Sequence, residues 1–116
     1  MRDSRGSLTV LEKTLPFQVV RSYWIYGVNG TTRGGHRHTK TIQALVAVSG
    51  EVEVYLSDGI NEETIILKRP SQCLLVEAKD WHTMTIYDGS ILLVMASTHF
   101  DKNDYVATAY APIQYD

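Results

Sequence analysis

The sequence predicts an all-β fold, a sandwich or barrel, on three observations. Short runs rich in Val, Ile, Leu, Tyr and Thr recur along the 116 residues, each bounded by Gly, Asp, Asn, Pro or Ser. Such residues fit a pleated, half-buried surface. Helical periodicity is nearly absent. Asp-Gly pairs at 58–59 and 88–89 supply the residues that tight turns need where φ is positive.

About eight strands follow. They are "SLTVLE" (7–12), "FQVVRSYWIYGV" (17–28), "TIQALVAVSG" (41–50), "EVEVYLS" (51–57), "EETIILK" (62–68), "QCLLVEA" (72–78), "HTMTIYD" (82–88) and "SILLVMAST" (90–98). "SG" at 49–50 joins the third to the fourth, "SDGINE" turns the fourth into the fifth, and "YDGS" at 87–90 repeats that hairpin device. "EVEVYL" alternates, so Val52 and Val54 face one way and Glu51, Glu53 and Tyr55 the other. "ILLVMA" is apolar throughout, which predicts a central strand covered on both faces. The tail "HFDKNDYVATAYAPIQYD" holds three tyrosines and reads as a short helix or a packed arm.

A chain of this length builds one core, so residues 1–116 are expected to form a single domain. Net charge is −2 with both signs interspersed, which argues against nucleic acid or a membrane surface as partner. The start "MRDSRGSLTV" is too polar for a signal peptide, and no apolar run approaches membrane-spanning length; a cytoplasmic protein is expected. The single cysteine, Cys73, excludes an internal disulfide and is expected to be a small buried hydrophobe.

Chemistry concentrates in "RGGHRHTKTIQ" at 33–43. Residues i and i+2 of a strand point the same way, so His36 and His38 share one face and Arg37 points opposite. His82, in "DWHTM", starts another strand, and Pro70 marks the turn before it. Gly34 or Gly35, His36, His38, Gln43, Gly50, Pro70 and His82 resemble the two-part motif of the cupins, which are double-stranded β-helices of the jelly-roll type. A metal-binding cupin offers a carboxylate where Gln43 stands, and an amide is a weak ligand for transition metals. Three histidines suffice for zinc in some sites. A histidine pair equally suits acid/base chemistry on an organic substrate, and the metal-free reading is preferred, with no cofactor. His99 reads as an ordinary loop residue.

The chain also resembles the nucleotide-sugar 3,4-ketoisomerases, small cupins that act on dTDP-4-keto-6-deoxyglucose. The resemblance rests on "DSRGSL" (3–8), "LPFQVVRSYWIYGV" (15–28), "RGGHRHTKTIQALVAVSGEVEVYLSDG" (33–59), "WHTM" (81–84), "LLVMAS" (92–97) and "DKNDYV" (101–106). It departs from the family pattern at Arg37, where alanine is usual, and at Thr39. The chain starts close to "DSRG", which leaves the family's first strand short or missing.

The resemblance implies a metal-free isomerase that moves the keto group from C4 to C3 through an enediol, with His36 and His38 as the acid/base pair. It implies that Arg5 and His82 line the substrate pocket and bear on which face of C4 is protonated, a galacto outcome being favoured. Arg33 could hold a phosphate bidentately, and Gly35 would let backbone approach the ligand. Gln43 joins the substrate-binding set. Of "YWIY", Tyr23 and Tyr26 are candidates to contact substrate, one by stacking on thymine, although core packing is expected for at least two of the three aromatics. A homodimer is expected. The alternatives are a non-catalytic nucleotide-sugar-binding cupin and a metal-dependent cupin enzyme.

Overall fold

The structure is a computed structural model, and it describes residues 2–113. Gln114–Asp116, including the tail's third tyrosine, lie outside the described residues, as does Met1. Eleven strands form in chain order: β1 (Arg2–Asp3), β2 (Gly6–Ser7), β3 (Arg21–Tyr26), β4 (Thr31–His38), β5 (Gln43–Ser49), β6 (Val52–Ser57), β7 (Glu62–Leu67), β8 (Leu74–Val76), β9 (Trp81–Ile86), β10 (Ile91–Ala96) and β11 (Tyr105–Val106). Among the described residues a single 3₁₀ turn spans Lys102–Asp104.

Two antiparallel sheets face each other, in the orders β3-β10-β5-β8 and β11-β4-β9-β6-β7; β1 and β2 pair apart as a small hairpin. This is the predicted cupin jelly roll. Chain order and sheet order interleave, so consecutive strands such as β9 and β10 cross between sheets. The "YDGS" turn is therefore a crossover and not the hairpin the sequence suggested. "SDGINE" does make a hairpin, in which Asp58 Oδ1 accepts from the backbone N–H groups of Ile60 and Asn61 at 2.8 and 2.7 Å.

The core fills the space between the sheets. Leu45, Ala47, Val76, Leu92 and Val94 come from one sheet and Val52, Val54, Leu67, Met84 and Ile86 from the other. Strand alternation puts them there: Val52 and Val54 are buried while Glu51 and Glu53 are not. β10 is central as expected, and its outer-face Met95 is covered by a second apolar cluster to which Leu15 and Phe17 belong.

Some expectations change. Residues 8–12 form no strand and lie exposed, so only Ser7 of the first run lies in a strand. Cys73 is exposed, not buried, because it precedes β8 rather than packing within it. Of the three aromatics in "YWIY", Tyr23 alone packs on the core; Trp24 and Tyr26 are exposed on the outer face. The longest strand, β4, was not among the eight runs, because "TTRGGHRH" has no apolar residue. The tail becomes the 3₁₀ turn, β11 and an arm. Along that arm, Trp81 Nε1 donates to the Ala107 carbonyl at 3.2 Å and Tyr110 Oη donates to the Lys79 carbonyl at 2.7 Å.

Candidate active site

The polar inner face of β4 has its cause in a bulge. Arg33 pairs with Met84 and Gly34 with Thr83, but His36 then pairs with His82, so one extra residue sits between Gly34 and His36. Without it, Gly35 and Arg37 would share the inward face of Met84, and the histidines would point to solvent. The bulge needs its glycines. Both have positive φ, +93° at Gly34 and +76° at Gly35. A Cβ at Gly34 would also lie 2.8 Å from the His82 carbonyl oxygen.

The register shift gathers three imidazoles. Ring centroids of His36 and His38 are 5.0 Å apart, those of His36 and His82 5.0 Å, and those of His38 and His82 6.1 Å. Tyr105, opposite His38 in the β4–β11 pairing, lies 4.6 Å from both His36 and His38. His38 and His82 are buried and His36 is half-buried. Arg37 points to the other face as predicted, with its guanidinium 5.0 Å from the Tyr110 ring centroid, beneath the C-terminal arm.

Each buried imidazole has its Nδ1 committed. His82 Nδ1 lies 3.0 Å from the Asp80 carbonyl, which can only accept, so Nδ1 carries the proton. His38 Nδ1 lies 2.7 Å from Asp104 Oδ2, and both side chains are almost fully buried. Burial pushes the Asp104 carboxyl up, but hydrogen bonds from Thr41, the Lys40 backbone, His38 and Thr39 outweigh it and hold it well below the usual carboxylate range. Asp104 is thus an ionised acceptor, and His38 Nδ1 also carries the proton. Among the described residues, His38 Nε2, His82 Nε2 and Gln43 Oε1 are buried without a hydrogen-bond partner. Such atoms cost about 1–3 kcal/mol each, and clusters of them mark groups held ready for a ligand.

His36 is pushed down to about 4 by burial and by His82 and His38, against a backbone hydrogen bond at Gly34 and the charge of Asp104. It is neutral at pH 7. Burial likewise lowers His82, aided by His38 and opposed by the Asp80 carbonyl. Gln43 donates through Nε2 to Tyr23 Oη at 3.1 Å, and burial foremost keeps Tyr23 protonated. Tyr23 faces inward beside Val94 in the register.

Tyr26 is 66% exposed on the outer face of β3, across the sheet from the histidines, and strand alternation removes it from the site. Arg5 is exposed in the turn of the β1–β2 hairpin. Arg33 is exposed on β4, three residues before His36 and on its inward-facing register. Gly35 is the bulge residue itself. Asp104 and Tyr105 were missed. Their signal was "DKNDYV", read as part of a packing arm. Ring nitrogens of His36, His38 and His82 lie within 4.8 Å of one another, a set that could hold a transition metal with one position open, without a carboxylate ligand.

The jelly roll and its cluster of inward histidines define a small cupin. Residues 1–114 match the family described as FdtA, WxcM-like, C-terminal, and the chain belongs to that family. It is 38% identical over 108 residues to the TDP-4-oxo-6-deoxy-α-D-glucose-3,4-oxoisomerase of Aneurinibacillus thermoaerophilus, covering 90% of this chain and 78% of that one. A 3,4-ketoisomerase from Helicobacter canadensis superposes with a TM-score of 0.87 at 38% identity, covering 93% and 84% of the two chains. The TDP-quinovose 3,4-ketoisomerase WlaRB of Campylobacter jejuni gives 0.87 at 38% identity, covering 93% and 86%. No helix among the described residues is long and apolar enough to cross a membrane.

Proposed function

We propose that this protein is a TDP-sugar 3,4-ketoisomerase that moves the keto group of TDP-4-keto-6-deoxyglucose from C4 to C3. The observation that carries the reading is the cluster of inward imidazoles, two of which present an unpartnered Nε2. The relatives add the substrate class: a histidine-to-asparagine mutant of the 3,4-ketoisomerase QdtA from Thermoanaerobacterium thermosaccharolyticum, 34% identical, is known in complex with TDP-4-keto-6-deoxyglucose.

The C3 proton of the substrate is acidic because the C4 carbonyl can take up the charge. A histidine of the His36–His38 pair removes it, the C3–H electrons form the C3=C4 bond, and O4 gains a proton. The enediol then collapses. O3 loses its proton, the carbonyl forms at C3, and C4 receives a proton from the pair. C3 is oxidised and C4 reduced within one molecule, so no external oxidant is needed. Their ring separation of 5.0 Å suits neighbouring carbons of one sugar. Each positioned proton-transfer group contributes about 10²–10⁴-fold. Gln43, Tyr23 and His82 supply polar contacts to the sugar, and Arg33 supplies charge for the pyrophosphate.

A homodimer belongs to the same reading. β3 is the edge of its sheet, and the apolar Trp24, Tyr26 and Val28 are exposed on or just beyond it. Light scattering after size exclusion should give about twice the monomer mass, and a monomer would remove this part. For the activity, incubation with TDP-4-keto-6-deoxyglucose followed by NMR should show the 3-keto sugar. No conversion with retained TDP binding would favour a binding module, and activity that depends on added metal would favour a metal-dependent enzyme.

A further inference from the structure

We propose that Asp104 is the positioning residue that makes His38, and not His36, the base at C3. This rests on the ketoisomerase reading above. The three imidazoles look alike in sequence, but their partners differ. His82 Nδ1 is held by a neutral carbonyl, and His36 has a backbone hydrogen bond at Gly34. Among the described residues only His38 of the three is held by a carboxylate, at 2.7 Å. A base that takes a proton becomes imidazolium, and a buried carboxylate on its far nitrogen stabilises that charge most.

The carboxylate is itself held on both oxygens. Oδ1 accepts from the Thr39 backbone at 3.1 Å, from Thr39 Oγ1 at 2.9 Å and from the Lys40 backbone at 2.8 Å. Oδ2 accepts from His38 and from Thr41 Oγ1. Five donors among the described residues hold it, so it stays ionised and does not rotate. In reply, His38 Nδ1 must donate and Nε2 must keep its lone pair. That nitrogen is buried and without a partner among the described residues. Asp104 is the last residue of the 3₁₀ turn capped by Asp101 and precedes Tyr105 on β11, so the C-terminal segment completes the site.

Asp104→Asn separates charge from shape. The three donors at Oδ1 force the amide oxygen to stay there. The amide NH₂ then faces His38 Nδ1, which must become the acceptor. The proton moves to Nε2 and the base is lost. Long-range ¹⁵N–¹H correlation spectra of the wild-type protein should show His38 protonated at Nδ1 with a free Nε2, and in D104N the reverse. With TDP-4-keto-6-deoxyglucose, D104N should lose about 10²-fold in kcat with KM changed less than about threefold. Wild-type turnover with an unchanged D104N kcat would overturn the assignment and leave the isomerase reading standing. Absent wild-type turnover would remove both. Should D104N not fold, the wild-type spectrum still decides: a proton on His38 Nε2 overturns the proposal.

Discussion

Gly34→Ala should cost far more than Gly35→Ala, although the two glycines are adjacent and both have positive φ. An L-residue in that region is strained by about 1–3 kcal/mol at either position. At Gly35 that strain is nearly the whole effect, because the nearest atom to an added Cβ is a Trp81 ring carbon at 3.9 Å. At Gly34 the Cβ would meet the His82 carbonyl oxygen at 2.8 Å and Thr83 Cα at 3.2 Å. Both are backbone atoms of the paired strand and cannot swing aside. Overpacking of this kind adds about 1–3 kcal/mol. The entropy gained by stiffening the unfolded chain is common to both variants and cancels. The predicted difference between them is therefore about 1–3 kcal/mol, read from urea midpoints at equal m-value. G34A should also lose turnover beyond its loss of stability, since relief of the clash separates β4 from β9 and turns the histidines. Equal stabilities within about 0.5 kcal/mol would refute the argument that the bulge sets the site.

Other consequences are simpler. His36→Asn and His38→Asn should each lower kcat at least about 10²-fold while TDP binding by calorimetry persists. Stability should fall as pH drops from 7.5 to 5, because unfolded histidine takes up a proton near 6.5 whereas folded His36 does so only near 4. Partial exposure reduces this effect of His36 to on the order of 1 kcal/mol, and urea midpoints of H36N should show a shallower slope over that range. Asp104 is ionised in both states there and contributes only as pH falls below about 4. Cys73→Ser should change stability by less than about 0.5 kcal/mol, since Cys73 is exposed.

The apolar strands were legible because burial on one or both faces writes a period of two into them, as in Val52, Val54 and the β10 run. Strand β4 escaped that pattern because its inner face carries His36 and His38 and no apolar core residue. Its histidines were legible by type, and their common face followed from i, i+2 spacing. That this face points inward depends on the Gly34–Gly35 bulge, which reverses the alternation and has no signature beyond two glycines. Asp104 escaped for a different reason. It lies 66 residues from His38, and only the β4–β11 pairing brings them together. Tyr26 illustrates the opposite error: three aromatics in one strand suggest a common role, but alternation sends Tyr23 inward and Trp24 and Tyr26 outward.

The central claim is that inward histidines remove a proton from C3 of a TDP-linked keto sugar and deliver to C4 a proton drawn from solvent. NMR of TDP-4-keto-6-deoxyglucose incubated with the purified protein in D₂O tests it most directly. The account predicts a 3-keto product carrying deuterium at C4, formed by the wild type and absent with H38N. A carbonyl that stays at C4, or a product formed equally well without His38, would contradict it.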